Sequence, residues 1–155
     1  MRWVLRFGSA IILLSALAFL GTGMARADGR IVASAMSGVL VDARGAPQEG
    51  LAVTRTWNTG SEQGEDTVVS DAAGRFAFEE VSLPKGFLTR FFPGQASVAQ
   101  EFSLPDRGKQ LMILNKTNFD RDGELDGTPL SVVCDTEAEP GTDGTFFWGT
   151  CRPAG

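Results

Sequence analysis

The amino-acid sequence predicts an all-β sandwich of about seven to nine short antiparallel strands, and three observations support this prediction. Apolar and polar residues alternate in short runs, which is the period of a half-buried strand. Gly, Pro, Asn and Asp separate these runs at regular intervals, as they do in β-sandwiches. No long segment after residue 27 shows the period of an amphipathic helix.

Residues 1–27 are predicted to be a cleaved signal peptide, and residues 28–155 a single domain. Two arginines precede an uncharged apolar stretch at 8–20, and an Ala-Arg-Ala sequence ends at Ala27, where we expect cleavage. The apolar stretch is shorter than the roughly 20 residues that span a bilayer, although an uncleaved anchor is the alternative. We therefore expect a periplasmic or secreted protein with no transmembrane segment after cleavage.

The clearest strand pattern lies between Ser37 and Phe78. The elements predicted here and just before it are a first strand beginning near Ile31 and Val32, strands at Ser37–Asp42 and Gly50–Trp57, a polar segment at 58–66, a short strand at Thr67–Ser70, a tight turn at 71–74 and a strand at Arg75–Phe78. The polar segment at 58–66 is expected to be either a loop or a mobile strand end. Because successive side chains of a strand point to opposite faces, alternation assigns one set of apolar residues to the inner face. This set comprises Leu51, Val53, Trp57, Phe76 and Phe78.

The C-terminal half continues the same pattern. A connection at Ser82–Gly86 is followed by predicted strands at Phe87–Phe92, Ala96–Leu104, Lys109–Asn115, Leu130–Asp135 and Thr145–Thr150, with an acidic loop between Asn118 and Gly127. Turns containing Gly and Pro separate these strands.

Cys134 and Cys151 are expected to form a disulfide bond. They are the only two cysteines, and an exported domain with an even number of cysteines is typically disulfide-bonded. A hairpin folded about the turn at 140–144 places Cys134 opposite Cys151, and closing that loop stabilises the fold by about 3 kcal/mol. Two free or metal-binding thiols are the alternative, but a zinc site lacks further soft ligands in a chain without histidine.

Several segments resemble the carboxypeptidase regulatory-like (transthyretin-like) β-sandwich family. They are Gly38–Asp42, Gly45–Pro47, Gly50–Val53, Thr67–Ser70, Asp71–Gly74 and Arg75–Phe78. The resemblance implies the fold and no particular activity, because such sandwiches have many functions. Over most of the domain, Trp57, Cys134 and the segments 84–92 and 118–130 also resemble a group of small exported Gram-negative bacterial proteins of unknown function.

Composition argues against several classes of function. The net charge is −5, and removing residues 1–27, which hold three arginines and no acid, takes it to −8. Such a surface disfavours nucleic acid and anionic membranes, whose phosphates are bound by Lys and Arg, and permits a basic protein partner. The chain contains no His and no Tyr.

The absence of His and Tyr argues against catalysis. Hydroxyisourate hydrolases and intradiol dioxygenases on related sandwiches depend on these residues, and a Ser or Cys nucleophile here lacks an imidazole base. Paired carboxylates are the remaining alternative, although so small a domain offers little cleft for them. We therefore expect no catalytic residues and no cofactor.

The acidic loop contains a weak calcium candidate. Asn118, Asp120, Asp122 and Gly123 match the first half of a calcium-binding loop, but its twelfth position is Pro129 in place of the expected Glu. A solvated acidic connection is therefore favoured over a metal site. The candidate ligands are Asn118, Asp120, Asp122 and Asp126.

Consecutive aromatic residues provide candidate interface positions. Neighbouring residues of a strand face opposite sides, so pairs of aromatics leave one ring exposed. The candidates are Phe91, Phe92, Phe147 and Trp148.

Taken together, these features predict an exported, non-catalytic β-sandwich that binds another protein, and the acidic charge is compatible with a basic one. An inhibitor, an immunity protein or an accessory subunit fits this description. The alternative is a carbohydrate-binding or cell-envelope surface module that uses the exposed aromatic residues.

Overall fold

The computed structural model describes residues 29–84, 97–141 and 148–154. Their strands are β1 (Arg30–Ala33), β2 (Met36–Val41), β3 (Ala52–Asn58), β4 (Gln63–Val69), β5 (Arg75–Phe78), β6 (Val81–Leu83), β7 (Val98–Leu104), β8 (Lys109–Lys116), β9 (Leu130–Asp135), β10 (Trp148–Gly149) and β11 (Cys151–Pro153). Short 3-10 turns lie at Pro105–Arg107 and Gly123–Leu125. The all-β prediction is confirmed, with eleven strands in these residues because several short strands add to the predicted set.

The strands form three sheets. A five-stranded sheet has the order β10-β8-β7-β3-β4, a four-stranded sheet the order β11-β9-β2-β5, and β1 pairs with β6 alone. All pairs are antiparallel except β2 and β9, which run parallel from Met36↔Leu130 to Val41↔Asp135. This parallel pair is geometrically permitted because the chain between β2 and β9 passes through the other sheets.

The main core lies between the two larger sheets. Val53, Phe76 and Phe78 are buried on its inner faces, as alternation predicts, and half-buried Leu51 packs against them. The Phe78 ring meets the rings of Phe76 and Phe102 edge to face, with centroids 6.1 and 5.8 Å apart. Such contacts add about 0.5–1.5 kcal/mol to the energy of burying each ring.

A second, smaller core lies beneath the β1–β6 pair. Val32, Trp57 and Val98 are buried in it, with Phe119 packed alongside. The Trp57 ring covers Gly64 on the neighbouring strand so closely that a Cβ at Gly64 would lie 2.5 Å from the ring. This core also explains why Val81–Leu83 is a strand, where the sequence predicts a connection from residue 82: β6 pairs with β1 above Trp57.

Of the two alternatives predicted for residues 58–66, the loop is wrong in the second half of the segment, which belongs to a strand. Thr59 N donates a hydrogen bond to Glu62 O at 2.9 Å, which closes a tight turn, and β4 then begins at Gln63. The polar sequence does not indicate this strand, because β4 lies at the edge of its sheet and none of its residues is fully buried.

The two C-terminal strands belong to different sheets, β10 to the five-stranded sheet and β11 to the four-stranded sheet. Cys134 lies opposite Cys151, as the sequence predicts, and their sulfur atoms are 2.01 Å apart, the distance of a disulfide bond. The strand predicted at Thr145–Thr150 was expected to pair with the Leu130–Asp135 strand. Trp148 and Gly149 pair instead with β8 in the other sheet. The chain passes between sheets at Thr150, whose N–H donates to Leu111 O at 2.7 Å.

Several predictions fall on other parts of the chain. The signal peptide at 1–27, the strand at Phe87–Phe92 and the candidate interface residues Phe91, Phe92 and Phe147 lie outside the described residues. Among the described residues, no helix has the length and apolar character needed to cross a membrane.

Replacing both cysteines with alanine is expected to lower the free energy of unfolding by about 3 kcal/mol, because the disulfide restricts the unfolded chain. Urea unfolding followed by tryptophan fluorescence measures the change. A reducing agent should lower the stability of the native protein by a similar amount and leave the double variant unchanged. An unfolding midpoint that responds to neither change would contradict a stabilising disulfide.

Candidate functional site

The outer face of the five-stranded sheet is a mostly polar surface. Side chains that alternate with the buried ones on β3, β4, β7 and β8 point to this face. Its outward-facing residues are Ala52, Thr54, Thr56, Asn58, Gln63, Glu65, Thr67, Val69, Ala99, Glu101, Ser103, Gln110, Ile113 and Asn115. Hydroxyl, amide and carboxylate groups therefore dominate the face.

One row of residues crosses this face over all five strands, and we call it the central row. It contains, in order, Glu65, Thr56, Glu101, Ile113 and Trp148, which are successive register partners. Neighbouring strands are about 4.8 Å apart, so the two glutamates lie about 10 Å apart, and Glu101 is about as far from Trp148. The row thus combines two carboxylates with an indole ring at one end.

A neighbouring amide supports one of the two carboxylates of the central row, and two hydroxyls pair beside the row. Gln110 Nε2 donates a hydrogen bond to Glu101 Oε1 at 2.7 Å, and the hydroxyls of Thr54 and Thr67 are 2.8 Å apart. No hydrogen bond or ion pair engages the Glu65 carboxylate within the described part of the chain. Both glutamates are exposed and can accept hydrogen bonds from a ligand.

Trp148 is the candidate interface aromatic that the structure describes. Its side chain is 41% exposed, and it lies beside half-buried Ile113 at the β10 edge of the sheet. An exposed indole binds the faces of sugars and the cationic groups of Arg and Lys. Together with Glu65 and Glu101, it can recognise either a basic protein surface or a sugar.

The acidic loop does not bring the calcium candidates together as ligands. Asn118 Oδ1 accepts a hydrogen bond from Asp120 N at 2.9 Å, so the amide oxygen already caps the loop. Asp122 and Asp126 have left-handed backbones with φ of 55° and 50°. In the residues that the structure covers, no three His, Cys, Asp or Glu side chains form a group able to hold a metal ion.

The loop is instead held by ion pairs. Arg121 forms a double hydrogen bond with Glu80, at 2.6 Å from Nε and 2.9 Å from Nη2. The hydrogen bond to Glu80 raises the pKa of the Arg121 guanidinium. This exposed pair ties the loop to the segment between β5 and β6.

Glu124, the third of four acidic residues in the loop, points into the protein and pairs with Lys116. Their charged atoms are 3.0 Å apart, and both side chains are almost fully buried. Gln100 Nε2 donates to the same carboxylate at 2.9 Å, as does the backbone N–H of Ser34 at 3.0 Å. Lys116 Nζ also donates to the carbonyl of Asp120, so every charged group of the pair is satisfied.

Ser34 connects this pair to a second one. Its hydroxyl donates to Glu124 Oε2 at 2.6 Å, and its carbonyl accepts from Arg55 Nη1 at 3.0 Å. Arg55 in turn forms a double hydrogen bond with Asp66 of β4, at 2.9 and 2.6 Å, and lies over the Phe78 ring. The two ion pairs thus join the acidic loop, the chain after β1 and the β3–β4 hairpin.

The Ser34 hydroxyl is not a plausible nucleophile, although Lys116 Nζ is 3.1 Å from it. Ser34 is 3% exposed and Lys116 is fully buried, so no substrate can reach the hydroxyl in this structure. The hydroxyl is also occupied, because it accepts a hydrogen bond from Asp122 N at 2.8 Å. The network therefore positions the loop and β4.

Burial and hydrogen bonding shift the pKa of the Glu124 carboxyl in opposite directions. Burial raises the pKa of the Glu124 carboxyl, but hydrogen bonds from Ser34, Gln100 and Lys116 outweigh it and leave the pKa below its ordinary value. Glu124 is consequently ionised under ordinary conditions, as pairing with Lys116 requires.

The buried charges and the central row were not predicted from the sequence. One signal was present: the alternation that puts Val53 and Trp57 inside also puts Arg55 inside. Lys116 likewise follows Met112 and Leu114 at period two. No comparable local signal distinguishes Glu124 from the other acids of its loop.

The fold and the central row define an all-β sandwich protein with an acidic sheet face. The chain belongs to the family described as domain of unknown function DUF6795, which matches residues 36–139. The match begins at β2 and ends after β9, so it includes Glu65 and Glu101 but not Trp148. No curated protein matches the chain.

Replacing Glu124 with Gln is expected to destabilise the protein by about 3–5 kcal/mol, because it leaves the Lys116 ammonium buried without its counter-charge. The effect depends on pH. Because the pKa of Glu124 is lowered by folding, its contribution is complete above the unfolded-state value of about 4.3 and is lost as pH falls through the folded-state pKa. Urea unfolding at neutral and at acidic pH measures both effects.

The matched control for this prediction is Glu49→Gln, at an exposed position outside the network. Its stability should follow that of the native protein within about 0.5 kcal/mol. The difference in free energy of unfolding between the native protein and Glu124→Gln should become smaller as the pH falls. If this difference stays constant from neutral to acidic pH, ionisation of Glu124 does not contribute to the pH dependence of stability.

Proposed function

We propose that this protein is an exported, non-catalytic binding protein that holds a basic protein partner against the outer face of its five-stranded sheet. The observation that carries the proposal is the central row, with exposed carboxylates at Glu65 and Glu101 and an exposed indole at Trp148. An inhibitor, an immunity protein or an accessory subunit works in this way, by occupying a surface of its partner.

The chemistry of the row suits arginine and lysine side chains. A guanidinium can donate two hydrogen bonds to a glutamate carboxylate, and it can also stack on the face of an indole ring. The net charge of −5 favours the approach of a positively charged protein and disfavours acidic ones. Aromatic residues at the centre or end of such a patch commonly contribute much of the binding energy.

Export is supported by the N-terminal sequence and by the cysteines. Residues 1–27 have the charge, apolar stretch and Ala-Arg-Ala site of a signal peptide. Cys134 and Cys151 lie at disulfide distance, an arrangement that persists in oxidising compartments. The carboxypeptidase regulatory-like resemblance of Ser37–Phe78 is consistent with a scaffold of this kind.

A carbohydrate-binding or cell-envelope surface module is the second candidate. The observation that favours it is the position of Trp148 beside a row of hydroxyl and amide side chains, which can hydrogen-bond to sugar hydroxyls. The two candidates differ in their dependence on charge, because binding of a neutral sugar needs the indole more than the carboxylates.

The double variant Glu65→Gln/Glu101→Gln is expected to weaken binding of the basic partner by about tenfold or more, since two charge-assisted contacts are lost. Trp148→Ala is expected to weaken it by about thirtyfold, as for an aromatic anchor. Retention of a basic protein from periplasmic extract, followed by titration of that protein with each variant, measures both changes.

The control for charge is Glu49→Gln/Asp106→Asn, which removes the same charge from exposed positions off the sheet face. This variant should bind the partner almost as tightly as the native protein. If a glycan array gives binding that Trp148→Ala abolishes and the glutamate variant retains, the sugar-binding candidate replaces the protein-binding one.

Export has its own test. Expression of the full chain in a Gram-negative host should yield a periplasmic protein whose mass corresponds to an N-terminus at Asp28, because cleavage is expected after Ala27. Mass spectrometry of the intact periplasmic protein gives the answer. A full-length product in the cytoplasmic fraction would contradict export.

A further inference from the structure

Strand β4 presents an unpaired edge at one side of the five-stranded sheet. In the described residues it pairs with β3 alone, and no strand lies on its other side. It is seven residues long, whereas the other edge strands of the two larger sheets, β5, β10 and β11, have four, two and three residues. Of these edges, β4 therefore offers the longest template for another strand.

The pairing of β3 with β4 identifies the backbone groups that face outward. Thr59 bonds with Glu62 and Leu51 with Ser70, one at each end of the ladder. Because hydrogen-bonded pairs alternate in an antiparallel ladder, Gly64, Asp66 and Val68 bond with β3. The N–H and C=O groups of the intervening residues point away from the sheet, and these residues are Gln63, Glu65, Thr67 and Val69.

This edge lacks the features that usually block strand addition. Proteins protect exposed edges with proline, lysine, bulges or inward charges. β4 contains neither proline nor lysine, and its register with β3 is unbroken. Asp66 does point inward, but Arg55 neutralises it through two hydrogen bonds.

A depression flanks each end of the edge. One, of about 390 Å³, is lined by residues of both strands of the hairpin and includes Gln63 and Glu65. The other, of about 510 Å³, is largely apolar and includes Val68, Val69 and Ala77. Val69 is 63% exposed beside it. Bound strands commonly place alternate side chains in such pockets.

The charges of β4 disfavour a second copy of this chain as the occupant. A full-length antiparallel pairing of two β4 strands places Asp66 opposite its own counterpart and brings the Glu65 carboxylates to diagonal positions. Like charges in these positions destabilise a strand pair. A segment bearing Lys or Arg is favoured in the same place, because it meets Glu65 with opposite charge.

We propose that the partner adds an extended, basic segment to the free edge of β4, as a sixth strand of this sheet. Backbone hydrogen bonds to Gln63, Glu65, Thr67 and Val69 hold the segment. A basic side chain pairs with Glu65 on the outer face, and small apolar side chains on the opposite face of the segment pack near Val68, which lines the apolar depression. The choice of a basic segment rests on the proposed function, and the site extends the acidic face to the edge of the sheet.

The test uses hydrogen exchange of the native protein, followed by NMR, with a peptide of alternating lysine and valine as long as β4. The free protein should exchange quickly at the amides of Gln63, Glu65, Thr67 and Val69, and slowly at those that bond with β3. The peptide should slow the four outward amides about tenfold at about nine times its Kd. A peptide of alternating glutamate and valine is the matched control and should leave them unchanged.

Two results would overturn the proposal. One is no slowing at these amides with millimolar lysine–valine peptide. The other is slow exchange of the same four amides in the free protein, since the edge would then already be covered, by the chain itself or by a second copy. Sedimentation of the free protein separates these two causes.

Thr67→Pro provides a second test, because it removes an outward N–H without breaking a bond to β3. It should weaken peptide binding by about fivefold or more, whereas Thr67→Val, which keeps the N–H, should not. If Thr67→Pro does not fold, the exchange experiment on the native protein still decides. A partner that needs Glu101 and Trp148 but ignores Thr67→Pro would reject strand addition and leave the proposed function intact.

Discussion

The burial of the Lys116 ammonium is the constraint on which much of this structure depends. A charge removed from water costs several kcal/mol unless a counter-charge and hydrogen bonds replace the solvent. Glu124 and the Asp120 carbonyl supply them from the acidic loop that follows Lys116, and the Ser34 hydroxyl supplies a third contact from 82 residues away in the chain. Satisfying one lysine therefore fixes the acidic loop and the chain after β1 relative to the sheet.

The same network reaches the surface through Arg55. Because Arg55 bonds to the Ser34 carbonyl and to Asp66, it joins the buried charges to edge strand β4. A strand with little buried area would otherwise fray at the edge of its sheet. The buried ion pairs thus hold β4 and its acidic residues in place, because hydrophobic packing alone contributes little to this strand.

Local sequence patterns predicted much of the scaffold and little of the site. The strands at Arg75–Phe78 and Leu130–Asp135 coincide with prediction because turn residues bound them and apolar residues alternate within them. β4 was partly missed because an edge strand that is polar on both faces resembles a loop. The pairing of β2 with β9, and of Trp148 with β8, depends on contacts distant in sequence that no local pattern encodes. Glu124 is a similar case, since only the fold distinguishes it from its acidic neighbours.

The passage of the chain between sheets at Thr150 has a consequence for conformational entropy. Trp148 lies three residues before Cys151, and Cys151 is joined to Cys134 in the opposite sheet. Gly149 and Thr150 in between are held by bonds to Gly141 and Leu111. The backbone that carries the indole is thus ordered before any ligand arrives, so binding at Trp148 requires little loss of backbone freedom. Preorganisation of this kind lets a small contact area yield more net affinity than the same residues on a free chain end.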